Sequence, residues 1–313
     1  MKNKKIIFLI SFITIGIVCH FFLNSYIQAL VISFMINAIM ALSLNFITGV
    51  ANQFSLGQAG FMALGAYTSA VITKEFLSDA WYTIPVTAIL GALVAAVAGY
   101  LVSLPSFKLK GDYLAIVTMG FAEIVRVILL NWNHVGGPRG YNAIVKWPEF
   151  LLSYSMTGIY LILTFIVLYH LKISWFGRNL WAINEDEIAA EVMGTSIAKN
   201  KRTAFLISSF FAGLGGALYG HHLGYISPSS FSFLMSVQIL IYAVFGGLGS
   251  MSGSVLSALI LTALPEILRS LPTGGLDLRM IIFPILLIIM MILRPEGLLG
   301  RKELFEDKEA SRG

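Results

Sequence analysis

The chain has few charged residues and almost no cysteine. Only 12% of its 313 residues are charged, whereas 57% are hydrophobic, and the mean hydropathy is +0.83. Soluble domains carry roughly 25% charged residues, so this composition excludes a soluble domain and indicates an integral membrane protein with several spans. Cys19 is the single cysteine, and it therefore excludes an intrachain disulfide.

The motifs of common catalytic and nucleotide-binding sites are also missing. No glycine is followed directly by lysine, which excludes a phosphate-binding loop of the form GxxxxGK[ST]. His221 and His222 are adjacent and so point to different helix faces, unlike a zinc-binding pair. No serine has the sequence context of a nucleophile elbow. The sequence predicts no catalytic residue, no metal site and no cofactor in this chain.

Long apolar runs predict an all-α, polytopic helical bundle in the lipid bilayer, forming one domain over residues 1–313. A helix that crosses a bilayer needs roughly 17 to 25 apolar residues, and the apolar runs, some of them shorter, predict about ten helices. They cover residues 6–23, 27–48, 56–73, 85–105, 113–130, 154–171, 203–222, 233–245, 254–268 and 280–293. The third, eighth and ninth are short or interrupted by glycine, which is typical of re-entrant or broken helices. A basic start before an apolar run also describes a signal peptide, but we interpret 6–23 as a retained helix.

Basic residues predict the orientation of the bundle. The net charge is +5, and the basic residues lie at the ends of apolar runs, which favours a positive-inside topology over nucleic-acid binding. The predicted cytoplasmic segments include a loop at 172–202 and a charged tail at 296–313, and they hold most of the lysines and arginines. The predicted outer loops hold Lys74, Arg139 and Lys146. Both termini are therefore predicted to be cytoplasmic.

The polar stretch NEDEIAAEVMG at 184–194 predicts a short cytoplasmic helix. Asn184 with Glu187 forms a capping-box pattern, and Gly194 supplies a left-handed exit. A helix this short is marginal alone, so it is either an ordinary interfacial helix or a docking helix that fits a groove on a soluble partner. The small Ala189 and Ala190 are expected to allow close approach of that partner. The candidate docking residues are Asn184, Glu185, Glu187, Ile188, Ala189, Ala190, Glu191, Met193 and Gly194.

Polar residues inside the apolar runs are candidates for a transport pathway or a polar core. Glu123 and Arg126 stand three apart in one run, which predicts a buried ion pair because either charge alone is costly in the bilayer. Polar groups at that depth must face the bundle interior or water, so interhelical hydrogen bonding and contact with a transported molecule both remain open. The second and third runs and their connection supply Asn45, Gln53, Ser55 and Gln58.

Several stretches resemble one transporter family. EIAAEVMG at 187–194 looks like the EAA-type coupling loop of ABC import permeases. The flanking sequence is similar to the M-type permeases of the Liv branched-chain amino-acid importers. The matching stretches are ALSLNFITG (41–49), SLGQAGFMALGAY (55–67), KGDYLAIVTMGFAEIVR (110–126), FGRNLWAINEDEIAAEVMG (176–194), FFAGLGGALYG (210–220), FGGLGSMSGSVLSAL (245–259) and LRPEGLLG (293–300).

The resemblance implies one permease half of an ATP-driven importer in the bacterial cytoplasmic membrane. Its implied partners are an H-type permease, two ABC ATPase subunits that bind ATP and Mg²⁺, and an extracytoplasmic substrate-binding protein. A permease for urea or short-chain amides is the alternative within this class. A stand-alone secondary transporter would instead need intramembrane carboxylates for ion coupling, and only Glu123 is well placed. A membrane enzyme lacks a catalytic constellation.

Overall fold

The computed structural model describes residues 24–77, 80–106, 112–142, 144–269, 285, 288, 296–300 and 302–304. Its helices are α1 (Ser25–Asn45), α2 (Gln58–Val71), α3 (Ile84–Ser106), α4 (Asp112–Asn131), α5 (Phe150–Ile173), α6 (Trp175–Glu185), α7 (Glu187–Val192), α8 (Ile197–Leu223), α9 (Phe233–Gly246) and α10 (Met251–Arg269). The predicted spans at 6–23 and 280–293 lie outside the described residues, apart from two isolated helical positions at 285 and 288.

The all-α membrane architecture is confirmed. Within the described ranges, five helical segments are long and apolar enough to cross a membrane, and they contain α1, α3, α4, α5 and α8. By contrast, α2 and α9 have only 14 residues each, as the short third and eighth apolar runs predicted. The two-residue strands β1 (Tyr141–Asn142) and β2 (Tyr225–Ile226) pair antiparallel and were not predicted.

Helix α2 begins inside the bundle rather than at its surface. After α1 and a π-helical turn at Phe46–Val50, the chain runs without helix until Gln58. The backbone amide of Leu56 donates to Thr118 Oγ1 of α4 at 3.0 Å, and the backbone amide of Ala59 donates to Ser236 Oγ of α9 at 3.1 Å. Backbone groups within a membrane must be satisfied by protein, and these two hydroxyls make an internal helix start tolerable.

Helix α8 lies at the centre of the bundle and packs closely on α2 and α3. Gly65 of α2 lies directly against the backbone of Gly213, and Gly216 lies against the backbone of Met62. A Cβ at either glycine would collide with that backbone, so the absence of side chains is what allows this close approach.

The two ends of the bundle gather the segments predicted for opposite sides of the membrane. At one end, Lys74 Nζ donates to the Asn142 carbonyl at 2.9 Å, and His134 pairs with Glu75 at 3.0 Å. At the other end, Lys172 pairs with Glu303 at 2.6 Å. These contacts bring together the segments that the charge pattern assigned to the same side, while the side of the cell membrane that each end faces stays a prediction.

Candidate functional site

The polar stretch at 184–194 forms the end of one helix and the whole of another. Asn184 and Glu185 belong to the last turn of α6, and α7 begins only at Glu187. The predicted cap at Asn184 is therefore wrong, and so is the prediction of a single helix within 184–194. The reason is that α6 buries Leu180 and Ile183 on one face. Because this packing stabilises the helix through FGRNLWAIN, α6 continues beyond Asn184.

Asp186 separates the two helices and caps the second. Its backbone is extended, and its Oδ1 accepts from the amides of Ile188 at 2.8 Å and Ala189 at 3.1 Å. Such a side-chain cap satisfies amides that have no partner within the helix. At the other end Gly194 has a φ of +86°, which confirms the predicted left-handed exit. The amide of Thr195 then donates to the Ala190 carbonyl at 3.0 Å.

Helix α7 is held against the bundle by an ion pair and a small side chain. Glu187 Oε1 lies 2.5 Å from Lys201 Nζ in the first turns of α8. Ala190 is buried, so its methyl group faces the chain itself. The expectation that Ala190 faces a partner is therefore wrong, whereas Ala189 is exposed.

Three large apolar side chains of α7 and its exit point into open space. Ile188 is 76% exposed, Val192 is 81% exposed and Met193 is 84% exposed. We call these three residues the apolar tip. Ile188 and Val192 are one helical turn apart, so they form one surface. Glu191 is also exposed beside them. An apolar patch on a firmly positioned helix of this kind is typical of a docking surface.

Trp181 connects α6 to the turn between α9 and α10. Its ring lies so close to Gly249 that a Cβ there would be 3.2 Å away. The amide of Gly249 donates to Asn45 Oδ1 at 2.7 Å, and Asn45 Nδ2 donates to the carbonyls of Gly247 and Ser250 at 3.0 and 2.8 Å. Asn45 is fully buried, and these bonds make it a joint between α1 and the α9–α10 turn.

Residues 296–300 and 302–304 hold the same turn from the other side. Glu303 accepts from the amides of Met251 and Ser252, both at 2.9 Å, and pairs with Lys172 at 2.6 Å. It thus caps the start of α10. Burial would raise the pKa of Glu303, but hydrogen bonds from Lys172 and Ser252 outweigh it and hold the pKa below its ordinary value. The carboxylate therefore stays ionised and bound.

The other predicted pathway residues surround the internal start of α2. Gln53 Nε2 donates to the Lys201 carbonyl at 3.1 Å, and Ser55 Oγ accepts from the Gly57 amide at 3.3 Å. Gln58 Nε2 donates to Ser208 Oγ at 3.0 Å, while its Oε1 has no hydrogen-bond partner. All three side chains are buried. The structure thus places them in a polar core between α2 and α8.

Glu123 and Arg126 form the predicted pair but not in the predicted environment. Arg126 Nε lies 2.7 Å from Glu123 Oε2, which confirms the pairing. The Arg126 side chain is 28% exposed and that of Glu123 is 33% exposed, so the expectation of burial is wrong. The pair lies at the edge of α4, which packs on the bundle along one side only.

Comparison with known proteins places the chain in a family. The family model described as "Branched-chain amino acid transport system / permease component" matches residues 26–291. The chain belongs to this family of permeases. The match runs from the second residue of α1 to beyond the end of α10, and the chain is accordingly a multi-pass membrane permease.

Individual relatives agree with this assignment. This permease is 34% identical to the high-affinity branched-chain amino acid transport system permease protein LivM of Escherichia coli K12, over 95% of the chain and 75% of the relative. It is 24% identical to LivH of the same organism, over 85% of the chain and 92% of the relative. A probable LivM of Methanocaldococcus jannaschii is 26% identical over 80% of the chain and 79% of the relative. No solved structure matches the permease significantly.

Sequence reasoning missed the residues that hold the permease's motifs in place. Asp186 stands beside the predicted cap, and its own short side chain was a usable capping signal. Lys201 and Lys172 were read only as charges that set topology, and Glu303 was not singled out, because their partners are 14 to 131 residues away. Ser208 carries no local signal at all, since its role depends on Gln58 of another helix.

Proposed function

We propose that this chain is the M-type permease subunit of an ATP-driven ABC importer for branched-chain amino acids. It lies in the bacterial cytoplasmic membrane with both termini inside. The observation that carries the proposal is the apolar tip, Ile188, Val192 and Met193, exposed on a helix that its own chain caps and fixes. Family membership supports the substrate class, because the relatives LivM and LivH are named for branched-chain amino acids.

The apolar tip is the docking surface for an ATPase subunit. This chain has no phosphate-binding loop, so ATP and Mg²⁺ belong on two separate ATPase subunits. An H-type permease completes the membrane pathway, in keeping with the similarity of this chain to both LivM and LivH. An extracytoplasmic binding protein delivers the substrate and supplies most of the specificity.

Movement of the docked helix has a defined route into the bundle. Glu187 transmits displacement of α7 to Lys201 of α8 through their ion pair at 2.5 Å. The carbonyl of Lys201 accepts from Gln53 Nε2 at 3.1 Å, in the segment that leads to the internal start of α2. A second route runs from Trp181 of α6 to the α9–α10 turn through Gly249. Rigid helices joined in this way convert ATP-driven closure of the ATPases into rocking of the bundle.

A stand-alone transporter has less support. Such a protein needs an intramembrane carboxylate that binds and releases the coupling ion. Glu123 is the best-placed carboxylate, yet Arg126 pairs with it at 2.7 Å. Exposure of three large apolar side chains on α7 and its exit would also have no purpose in a chain without a soluble partner.

Reconstituted transport tests the proposal. The permease pair, the ATPases and the binding protein are placed in liposomes, and uptake of labelled leucine and of labelled urea is measured with ATP and without it. We expect ATP-dependent uptake of leucine, and a permease with Ile188→Asp should lose it while remaining inserted. The matched control is Lys199→Asp, another exposed position on the same side. Uptake of urea but not of leucine would show that the proposed substrate class is wrong. Leucine uptake without the ATPases would show that the chain is not part of an ATP-driven importer.

A further inference from the structure

One side of helix α4 is left open by its own chain. Its exposed apolar and glycine residues are Tyr113, Ile116, Val117, Gly120, Ile124, Val127 and Ile128, and the polar Asn131 is exposed at its end. They recur at intervals of three and four, so they form one stripe along the helix. We call this stripe the α4 face. Helices α3 and α5 carry similar apolar stripes, as contact with lipid requires. If an exposed apolar stripe were the only criterion, α4 would be another lipid-facing helix.

The ion pair at the edge of this stripe is incompatible with lipid contact. Glu123 lies eleven residues from the start of α4 at Asp112 and eight from its end at Asn131, which is about 16 Å and 12 Å along the axis. Its side chain is thus near the middle of the span and still 33% exposed. Ionised groups at that depth face protein or water rather than acyl chains.

Helix α3 shows what a lipid-facing helix of this chain looks like. It contains no Asp, Glu, Lys or Arg between Ile84 and Ser106. Val97, near its middle, is 61% exposed, which matches Ile124 of α4 at 60%. The two helices therefore have equally open faces, and they differ in that only α4 carries charged side chains at the margin of its face.

A glycine in the middle of the α4 face is the second observation. A Cβ added to Gly120 would meet nothing within 4 Å. Glycine weakens a helix relative to alanine, and here the described chain has no close contact that would need it. Small residues at such positions instead let a second membrane helix approach closely. Gly120 lies three residues before Glu123, so the close approach and the ion pair concern the same part of the stripe.

We propose that the second permease subunit packs on the α4 face, with Gly120 at the closest approach and the Glu123–Arg126 pair enclosed at the seam. The occupant must be a membrane chain, because the stripe lies along the middle of a span where a soluble ATPase or binding protein does not reach. Similarity to two different permeases of one organism, LivM and LivH, favours a distinct second chain over another copy of this one. This inference rests on the proposed function.

A glycine substitution tests the contact. Gly120→Phe fits the isolated chain, since nothing lies within 4 Å, and it replaces a helix-weakening residue. We expect normal insertion and abundance, with at least about tenfold less tagged second permease co-purified, which is about 1.4 kcal/mol. Val97→Phe on α3 is the matched control and should retain the partner. Equal retention in both variants would overturn the proposal.

Photocrosslinking identifies the occupant. A benzophenone amino acid at Ile124 should crosslink to the second permease in the assembled complex, and the same group at Val97 should not. Crosslinking of Ile124 only to lipid, or only to another copy of this chain, would overturn the proposal. The same group at Ile188 in a parallel sample should capture an ATPase. Capture at Ile188 with none at Ile124 refutes the interface alone, whereas failure at both positions refutes the importer as well.

Discussion

Truncation of the apolar tip should weaken ATPase binding without weakening the fold. In the double variant Ile188→Ala/Val192→Ala, roughly five carbon atoms are removed at about 0.8 kcal/mol each, a total of about 4 kcal/mol if all were buried by the partner. Because these side chains are 76% and 81% exposed in the free chain, about four fifths of that burial is available to the partner. The expected loss is about 3 kcal/mol, or roughly a 150-fold higher Kd.

Binding of the purified ATPase to the permease in nanodiscs measures this change. The free energy of unfolding should stay within about 0.5 kcal/mol, because surface substitutions rarely change it more. Lys199→Ala, also exposed on that side of the bundle, should leave the Kd unchanged. A Kd within about threefold of wild type for the double variant would refute the docking role. Ala190→Arg is a poor test, because Ala190 is buried and the substitution would disrupt packing within the chain.

Three further predictions concern the helix cap at Asp186, the carboxylate of Glu303 and the Glu123–Arg126 pair. Asp186→Ala removes both cap hydrogen bonds and should destabilise α7 by about 1 kcal/mol, seen as faster amide exchange at Ile188; unchanged exchange would contradict the cap. The pKa of Glu303 in the folded protein is lowered from 4.5. The stability that its carboxylate contributes is therefore complete above pH 4.5 and is lost as the pH falls through the lower, folded-state pKa. At pH 7 Glu303→Gln should speed proteolysis of the 296–304 segment, and equal rates would contradict the carboxylate's role. Glu123→Ala should reduce abundance more than Glu123→Ala/Arg126→Leu, because the single change leaves an unpaired cation; an equal or larger defect in the double variant on immunoblots would refute mutual dependence.

The contact between Glu123 and Arg126 was predictable because the two residues are three apart on one helix. Its environment was not, because exposure depends on which side of α4 the other helices cover. The same division applies to the polar residues of α1 and α2. That Asn45 and Gln58 must find partners follows from their depth in the membrane. The partners themselves are Gly249 in the α9–α10 turn and Ser208 on α8, respectively.

The sequence by itself determined the membrane class, the approximate spans and the presence of an acidic, alanine-containing segment with a glycine exit. These features depend on composition and on neighbours within a few residues, such as the positive φ that Gly194 adopts at a helix end. Tertiary structure decided which side chains of that segment are exposed. Packing of Leu180 and Ile183 extends α6 to Glu185, so the cap moves to Asp186 and α7 is shortened. Ala190 then turns inward while Ile188 and Val192 stay exposed, because the ion pair with Lys201, 14 residues away, sets the rotation of the helix.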